Sequence, residues 1–145
     1  MLTFFDSHAH YMDEHFDEDR NELLLSLNKD GNVKYILNAA YDMESSYKSI
    51  ELAEKYEFCL GAVGVHPHDA DSMKNEDYDL LKKLSVNKKV VAIGETGLDY
   101  YYDNSRRETQ KIWFREQIRL AKELDLPYIV HDRDAHEDVF KIMKE

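Results

Sequence analysis

A parallel α/β fold is what this sequence predicts, on two observations. Five short apolar runs, rich in Val, Ile and aromatic residues, alternate with segments of helical periodicity. The runs are nearly continuous and do not alternate polar with apolar, as expected of strands covered on both faces. The resulting β-α-β-α order argues for right-handed crossovers between parallel strands. The strand candidates are Leu2 to Asp6, Val33 to Ala40, Phe58 to Val65, Val90 to Glu95 and Tyr128 to His131. Arg20 to Asn28 is a leucine-rich helix candidate. Met43 to Tyr56 places Tyr47, Ile50, Leu52 and Ala53 at helical spacings, with Ser45 and Ser46 near its start. Asn75 to Leu84 is shorter and more polar. The clearest helix, Arg106 to Leu124, aligns Phe114, Ile118, Ala121 and Leu124 in one stripe, which is core packing. Pro127 is expected to stop this helix and open the fifth strand, and Asp134 to cap a last helix, Ala135 to Lys144. No repeat, low-complexity tract or linker interrupts the order.

Composition bounds the function. The 145 residues suffice for one core of ordinary domain size, with apolar content of 43% and charged content of 34%. No apolar stretch approaches the ~20 residues that span a bilayer, so no membrane partner is expected. Met1-Leu2-Thr3-Phe4-Phe5-Asp6 has neither a basic n-region nor an apolar h-region, so no secretory signal is expected either. The single Cys59 can form no internal disulfide and reads as a buried, inert thiol; the expected compartment is the cytoplasm. A formal net charge of −11 argues against broad electrostatic binding to nucleic acid, which relies on many Lys or Arg contacts to phosphate. A phosphodiester substrate would have to be held by metals and a few local basic groups. Runs such as Asp17-Glu18-Asp19 read as solvated surface.

The chemistry-bearing residues collect at strand ends. His8 and His10 follow the first strand, and two imidazoles separated by one residue on an extended chain point to the same face. His66 ends the third strand, Glu95 the fourth and His131 the fifth. In parallel α/β barrels, active sites gather at that edge of the sheet. Neutral imidazoles with a carboxylate suit zinc and, with more oxygen ligands, manganese or magnesium. Glu95 can offer its two oxygens to two cations. His66 reads as a phosphate contact or a support to the ligands, while His68, beyond Pro67, reads equally as a loop residue. Asp99 either orients a ligand or caps its loop. Tyr100, Tyr101 and Tyr102 either stack on a base or pack over the site. Arg133 is a phosphate clamp or half of a helix-capping ion pair. His15 and His136 lie in charged surroundings and are expected to be exposed.

Taken together, Asp6-x-His8-x-His10, Gly64-x-His66-Pro67, Gly94-Glu95-x-Gly97-Leu98-Asp99-Tyr100 and His131-x-Arg133-x-Ala135 resemble, in order, the signatures of the TatD family of metal-dependent deoxyribonucleases. Gln110, Phe114, Gln117, Leu120 and Ala121 are also similar to that family's pattern. The resemblance covers the whole chain. It implies a (β/α)8 barrel of the amidohydrolase-like kind, hydrolysing DNA phosphodiesters, often as a 3′–5′ exonuclease, with two divalent ions. It further implies that His8 and His10 bind one ion, that Glu95 bridges, and that His131 binds the second. DNA or an oligonucleotide is the implied partner.

A complete barrel of this type takes about 200 to 250 residues. Residues 1–145 are therefore expected to form one partial barrel domain of about five β/α units, ending within the fifth helix. The resemblance implies two more ligands, a histidine after a sixth strand and an aspartate after an eighth, which these residues do not encode. If flat, five strands would hold the ends of the first and fifth ~19 Å apart. The polypeptide by itself is thus expected to cleave DNA poorly and to self-associate through its exposed sheet edges. Another metal-dependent hydrolase of the same superfamily, or a non-catalytic remnant, are the alternative readings.

Overall fold

Every apolar run becomes a strand and every periodic segment a helix. A computed structural model of the chain describes residues 2–145. Its elements are β1 (Phe4–Ala9), α1 (Arg20–Lys29), β2 (Val33–Ala39), α2 (Met43–Lys55), β3 (Cys59–Val63), α3 (Asn75–Ser85), β4 (Val90–Asp99), α4 (Arg107–Leu124), β5 (Tyr128–Arg133) and α5 (His136–Met143). Short 3-10 turns at Glu14–Phe16 and Pro67–Ser72 follow β1 and β3. The strands form one parallel sheet in chain order, β1-β2-β3-β4-β5.

The two faces of the sheet carry different cores. On the helix side, Ile36 of β2 packs with Leu24 of α1 and Leu52 of α2. Val63 and Ile93 pack with Leu81 and Leu120, and Leu98 with Phe114, Ile118, Val139 and Ile142. Each such side chain contributes about 1.5–3 kcal/mol by leaving water. Leu37, Ala62 and Ala92 form a separate cluster with Leu60 and Ile129. Strand alternation sets Leu37 opposite Ile36 and Ala62 opposite Val63, so this cluster lines the inner, concave face.

Three local expectations are corrected. The helix α4 is not stopped by Pro127: Asp125, in the left-handed conformation at φ 54°, ends it, and Leu126 N–H bonds the Ala121 carbonyl at 2.9 Å. Asp134 does not cap α5; it adopts φ 54°, the N-cap is Ala135, and no side chain caps that end. The strand β4 does not end at Glu95 but runs on to Asp99, so the Gly97-Leu98-Asp99 stretch is ladder, not loop. The Asp42–Ser45 capping box supplies the start of α2: Ser45 N–H reaches Asp42 Oδ1 at 2.6 Å and Asp42 N–H reaches Ser45 Oγ at 2.9 Å.

The sheet is strongly curled. Instead of lying ~19 Å apart as in a flat sheet, the ends of β1 and β5 converge: His8 Nε2 and His131 Nδ1 each lie 3.2 Å from a Glu95 oxygen. Glu95 N–H also donates to the Ala40 carbonyl, just past β2, at 2.6 Å. Two glycines permit the tight β4–β5 contact. Gly94 and Gly97 hold φ 133° and 144°, and a Cβ on Gly97 would lie 2.0 Å from the His131 carbonyl oxygen. The five units make a curled half-barrel whose concave edge carries the histidines.

Candidate metal centre

Four strand ends bring their polar side chains together around Glu95. Its side chain is only 12% exposed, and each of its oxygens meets a different imidazole: Oε2 that of His8 and Oε1 that of His131. Burial pushes the Glu95 carboxyl up, but the His131 hydrogen bond and the nearby charges of His8 and His66 outweigh it and bring it down to about 2. A buried carboxylate requires compensating positive charge, which imidazolium or a metal ion can supply. The Glu95 contact is the largest cause that raises the His131 pKa.

Two donor groups share this carboxylate. His8, His10 and Glu95 form one, and His66, Glu95 and His131 the other; within each, one ligand atom per residue lies within 4.8 Å of the others. The protonation pattern of the rings distinguishes their roles. His10 Nδ1 lies 2.7 Å from the Ala39 carbonyl, which only accepts, so Nδ1 carries the proton and Nε2 keeps the lone pair a metal needs. His66 is the reverse. Its Nδ1 accepts the His68 N–H at 3.1 Å, so the neutral ring presents Nε2–H, a donor rather than a ligand atom. His66 is buried, and that burial, with the charges of His131 and His68, holds its pKa down to about 4. Its proximity to Glu95 and His131 therefore does not make it a third ligand.

Asp99 lies behind this cluster at the end of β4, fully buried. Its Oδ2 meets His68 Nε2 at 2.8 Å and His131 Nε2 at 3.0 Å. Burial raises its pKa, but hydrogen bonds from the Tyr102 backbone, His68 and His131 prevail and set it to about 2. His68 thus belongs to the cluster, a placement that its position beyond a proline left open. Two buried glutamines of α4 hold the backbone beneath. Gln117 Oε1 accepts the Val65 N–H at 2.8 Å while its Nε2 donates to the Val65 carbonyl at 3.0 Å and to Thr96 Oγ1 at 2.9 Å. Gln110 grips Asp99 in the same two-sided way. The signal for both was a pair of amides two helical turns apart on the apolar stripe of α4.

Tyr100 is not at the cluster. It turns to the helix side, where its hydroxyl donates to Asp138 at 2.7 Å and the Arg107 guanidinium packs 4.2 Å from its ring. Tyr101 and Tyr102 are the exposed tyrosines there, and the Arg133 guanidinium lies 5.7 and 5.1 Å from their rings. With Asp134 they wall a cleft of about 330 Å³. Tyr102 also stands edge-on to His68, at 5.4 Å between ring centres, which places this cleft beside the cluster that His68 joins through Asp99. Arg133 takes part in none of the ion pairs found among the described residues; its guanidinium lines the cleft against the two tyrosine rings. His15 and His136 lie apart and exposed, paired with Asp13 and Asp132.

A parallel half-barrel with histidines and a shared carboxylate at the C-terminal edge of its strands has the architecture of a barrel metal-binding protein. The chain belongs to the TatD related DNase family, whose model matches residues 5–145. It is 46% identical over 141 residues to the uncharacterized metal-dependent hydrolase YabD of Bacillus subtilis, covering 97% of this chain and 55% of that protein. It is 40% identical over 132 residues to the 3'-5' ssDNA/RNA exonuclease TatD of Cronobacter sakazakii, covering 91% of this chain and 50% of that one. In structure it is similar to the TatD homologue YjjV of Escherichia coli, with a TM-score of 0.89 and 31% identity over 97% of this chain and 55% of that one. The chain thus spans about half the length of the curated relatives it matches. No helix among the described residues is long and apolar enough to cross a membrane.

Proposed function

We propose that this chain carries the ligand-rich half of a divalent-metal-dependent hydrolase that cleaves DNA phosphodiester bonds, working from a 3′ end. The observation that supports this reading is the single carboxylate shared by two donor groups. His8 and His10 would hold one cation and His131 a second, with the Glu95 carboxylate available to both. Two bound divalent ions, whether magnesium, manganese or zinc, would activate a water and neutralise the phosphoryl oxygens. The chain's own groups do the rest. His66 Nε2–H donates to a non-bridging phosphate oxygen, and Arg133 adds a bidentate contact to the phosphate of a neighbouring nucleotide. Asp99 keeps the His131 ring in place. Residues 1–145 act as one partial barrel domain in a cytoplasmic setting. The 145-residue polypeptide is expected to bind metal and oligonucleotide.

The test is fluorescence anisotropy of a labelled single-stranded oligonucleotide with the 145-residue chain, with and without manganese, beside calorimetric titration of the metal. The expected result is metal-dependent oligonucleotide binding, lost in Glu95→Ala. Metal binding with no oligonucleotide binding would move the reading to another hydrolase of the superfamily. No metal binding, or binding unaffected by Glu95→Ala, would leave a non-catalytic module.

A further inference from the structure

We propose that Asp99 is a positioning residue that decides which ring nitrogen of His131 carries the proton, and hence which one is free for a divalent cation; this rests on the metal-centre reading above. Both oxygens of the buried Asp99 are committed. Oδ1 accepts the backbone N–H groups of Tyr101 and Tyr102 at 3.1 and 2.9 Å. Oδ2 faces Nε2 of His68 at 2.8 Å and Nε2 of His131 at 3.0 Å. An ionised carboxylate can only accept, so both imidazoles meet it with Nε2–H. In a neutral His131 the lone pair then sits on Nδ1, the atom 3.2 Å from Glu95 Oε1. Asp99 has little freedom to turn away. Its backbone N–H and carbonyl are latched by Gln110 at 2.9 and 3.2 Å, and the His68 carbonyl is held by Ser105 Oγ at 2.7 Å. One carboxylate therefore sets the same tautomer in two rings and ties both to the Tyr101–Tyr102 segment.

A near-isosteric change inverts this arrangement. In Asp99→Asn the amide oxygen has to occupy the place of Oδ1, because two backbone N–H groups require an acceptor there. The NH2 group then faces the two imidazoles. A donor in that position makes Nε2 of His131 the acceptor and moves its proton to Nδ1, the nitrogen that faces Glu95. The ring stays but its ligand atom is blocked, which is the logic by which a carboxylate fixes a histidine tautomer in other sites.

The experiment is ¹⁵N NMR of the imidazole rings in the metal-free 145-residue chain, in alkaline buffer where the rings are neutral, combined with calorimetric titration with zinc chloride. The wild type is expected to show His131 and His68 protonated on Nε2. Asp99→Asn is expected to show the His131 proton on Nδ1 and a zinc affinity about 10- to 100-fold weaker. His68→Ala, which keeps the Asp99–His131 contact, is expected to lose far less affinity than Asp99→Asn. A wild-type His131 protonated on Nδ1, or an Asp99→Asn chain with unchanged tautomer and zinc affinity, would overturn the role of Asp99. If Asp99→Asn does not fold, the wild-type tautomers alone decide. A wild-type chain that binds no zinc would instead overturn the metal-centre reading, so the two failures are distinct.

Discussion

Gly97→Ala probes the contact on which the half-barrel's concave edge depends. Gly97 pairs with His131 across β4 and β5, and a methyl there would sit 2.0 Å from the His131 carbonyl oxygen and 2.9 Å from that residue's nitrogen and carbonyl carbon. Even a close C–H···O contact needs about 3.3 Å, so the strands would have to part by more than about 1 Å. The backbone adds to the cost, since φ of 144° is a conformation that alanine rarely adopts. Strained backbone costs about 1–3 kcal/mol and overpacking about 1–3 kcal/mol. The sum, about 2–6 kcal/mol, is a large part of the ~5–15 kcal/mol that stabilises an ordinary domain. Parting β5 from β4 also carries His131 away from Glu95 and Asp99, so metal affinity should fall with stability. Gly61→Ala is the control: its Cβ would meet Ser49 Oγ at 3.0 Å, the end of a side chain that can move, at a cost of about 1 kcal/mol. Urea unfolding followed by far-UV circular dichroism, with calorimetric zinc titration of each variant, reads both effects. A Gly97→Ala chain as stable as Gly61→Ala, with wild-type zinc affinity, would refute the reasoning.

Three further outcomes follow from the same structure. Phe114→Ala empties a fully buried position between β4, α4 and α5 and should cost about 3–5 kcal/mol in urea unfolding; a loss under about 1 kcal/mol would contradict that packing. His66 takes up its proton near 4 in the fold against 6.5 when free, so between those values the unfolded chain binds the extra proton and stability falls as pH falls. His66→Gln should flatten the decline of the urea midpoint across that window, and an unchanged slope would count against burial as its cause. Finally, β1 and β5 are the edges of the described sheet, and Phe4 and Phe5 of β1 are 53% and 55% exposed. We expect concentration-dependent association in sedimentation velocity, whereas one sharp monomer peak with cooperative unfolding would rule it out.

Much of the fold was legible in the chain because its signals are local. Continuous apolar runs marked the strands, and the Phe114–Ile118–Ala121 stripe marked α4 to within a residue at its start. The misreadings lie where a single backbone conformation decides. α4 ends at Leu124 as expected, but through Asp125 rather than Pro127, and glycine conformations let β4 run past Glu95 to Asp99. Tyr100 illustrates the cost of that error. Once β4 is read as continuous to Asp99, alternation sends Asp99 to the cluster and Tyr100 to the helices.

What the sequence determined by itself was the set of residues and the edge at which they stand. His8, His10, Glu95 and His131 follow strand-like runs, and strands of one parallel sheet direct their C-terminal ends the same way. What only the tertiary structure decided was how close they come and which atoms they present. The curl that sets His8 and His131 on the two oxygens of Glu95 arises from the whole sheet. The tautomers follow from partners far along the chain: the Ala39 carbonyl for His10 and Asp99 for His131. Strand direction is a local property of alternation, whereas curvature and proton position depend on contacts between segments that no single stretch of sequence contains.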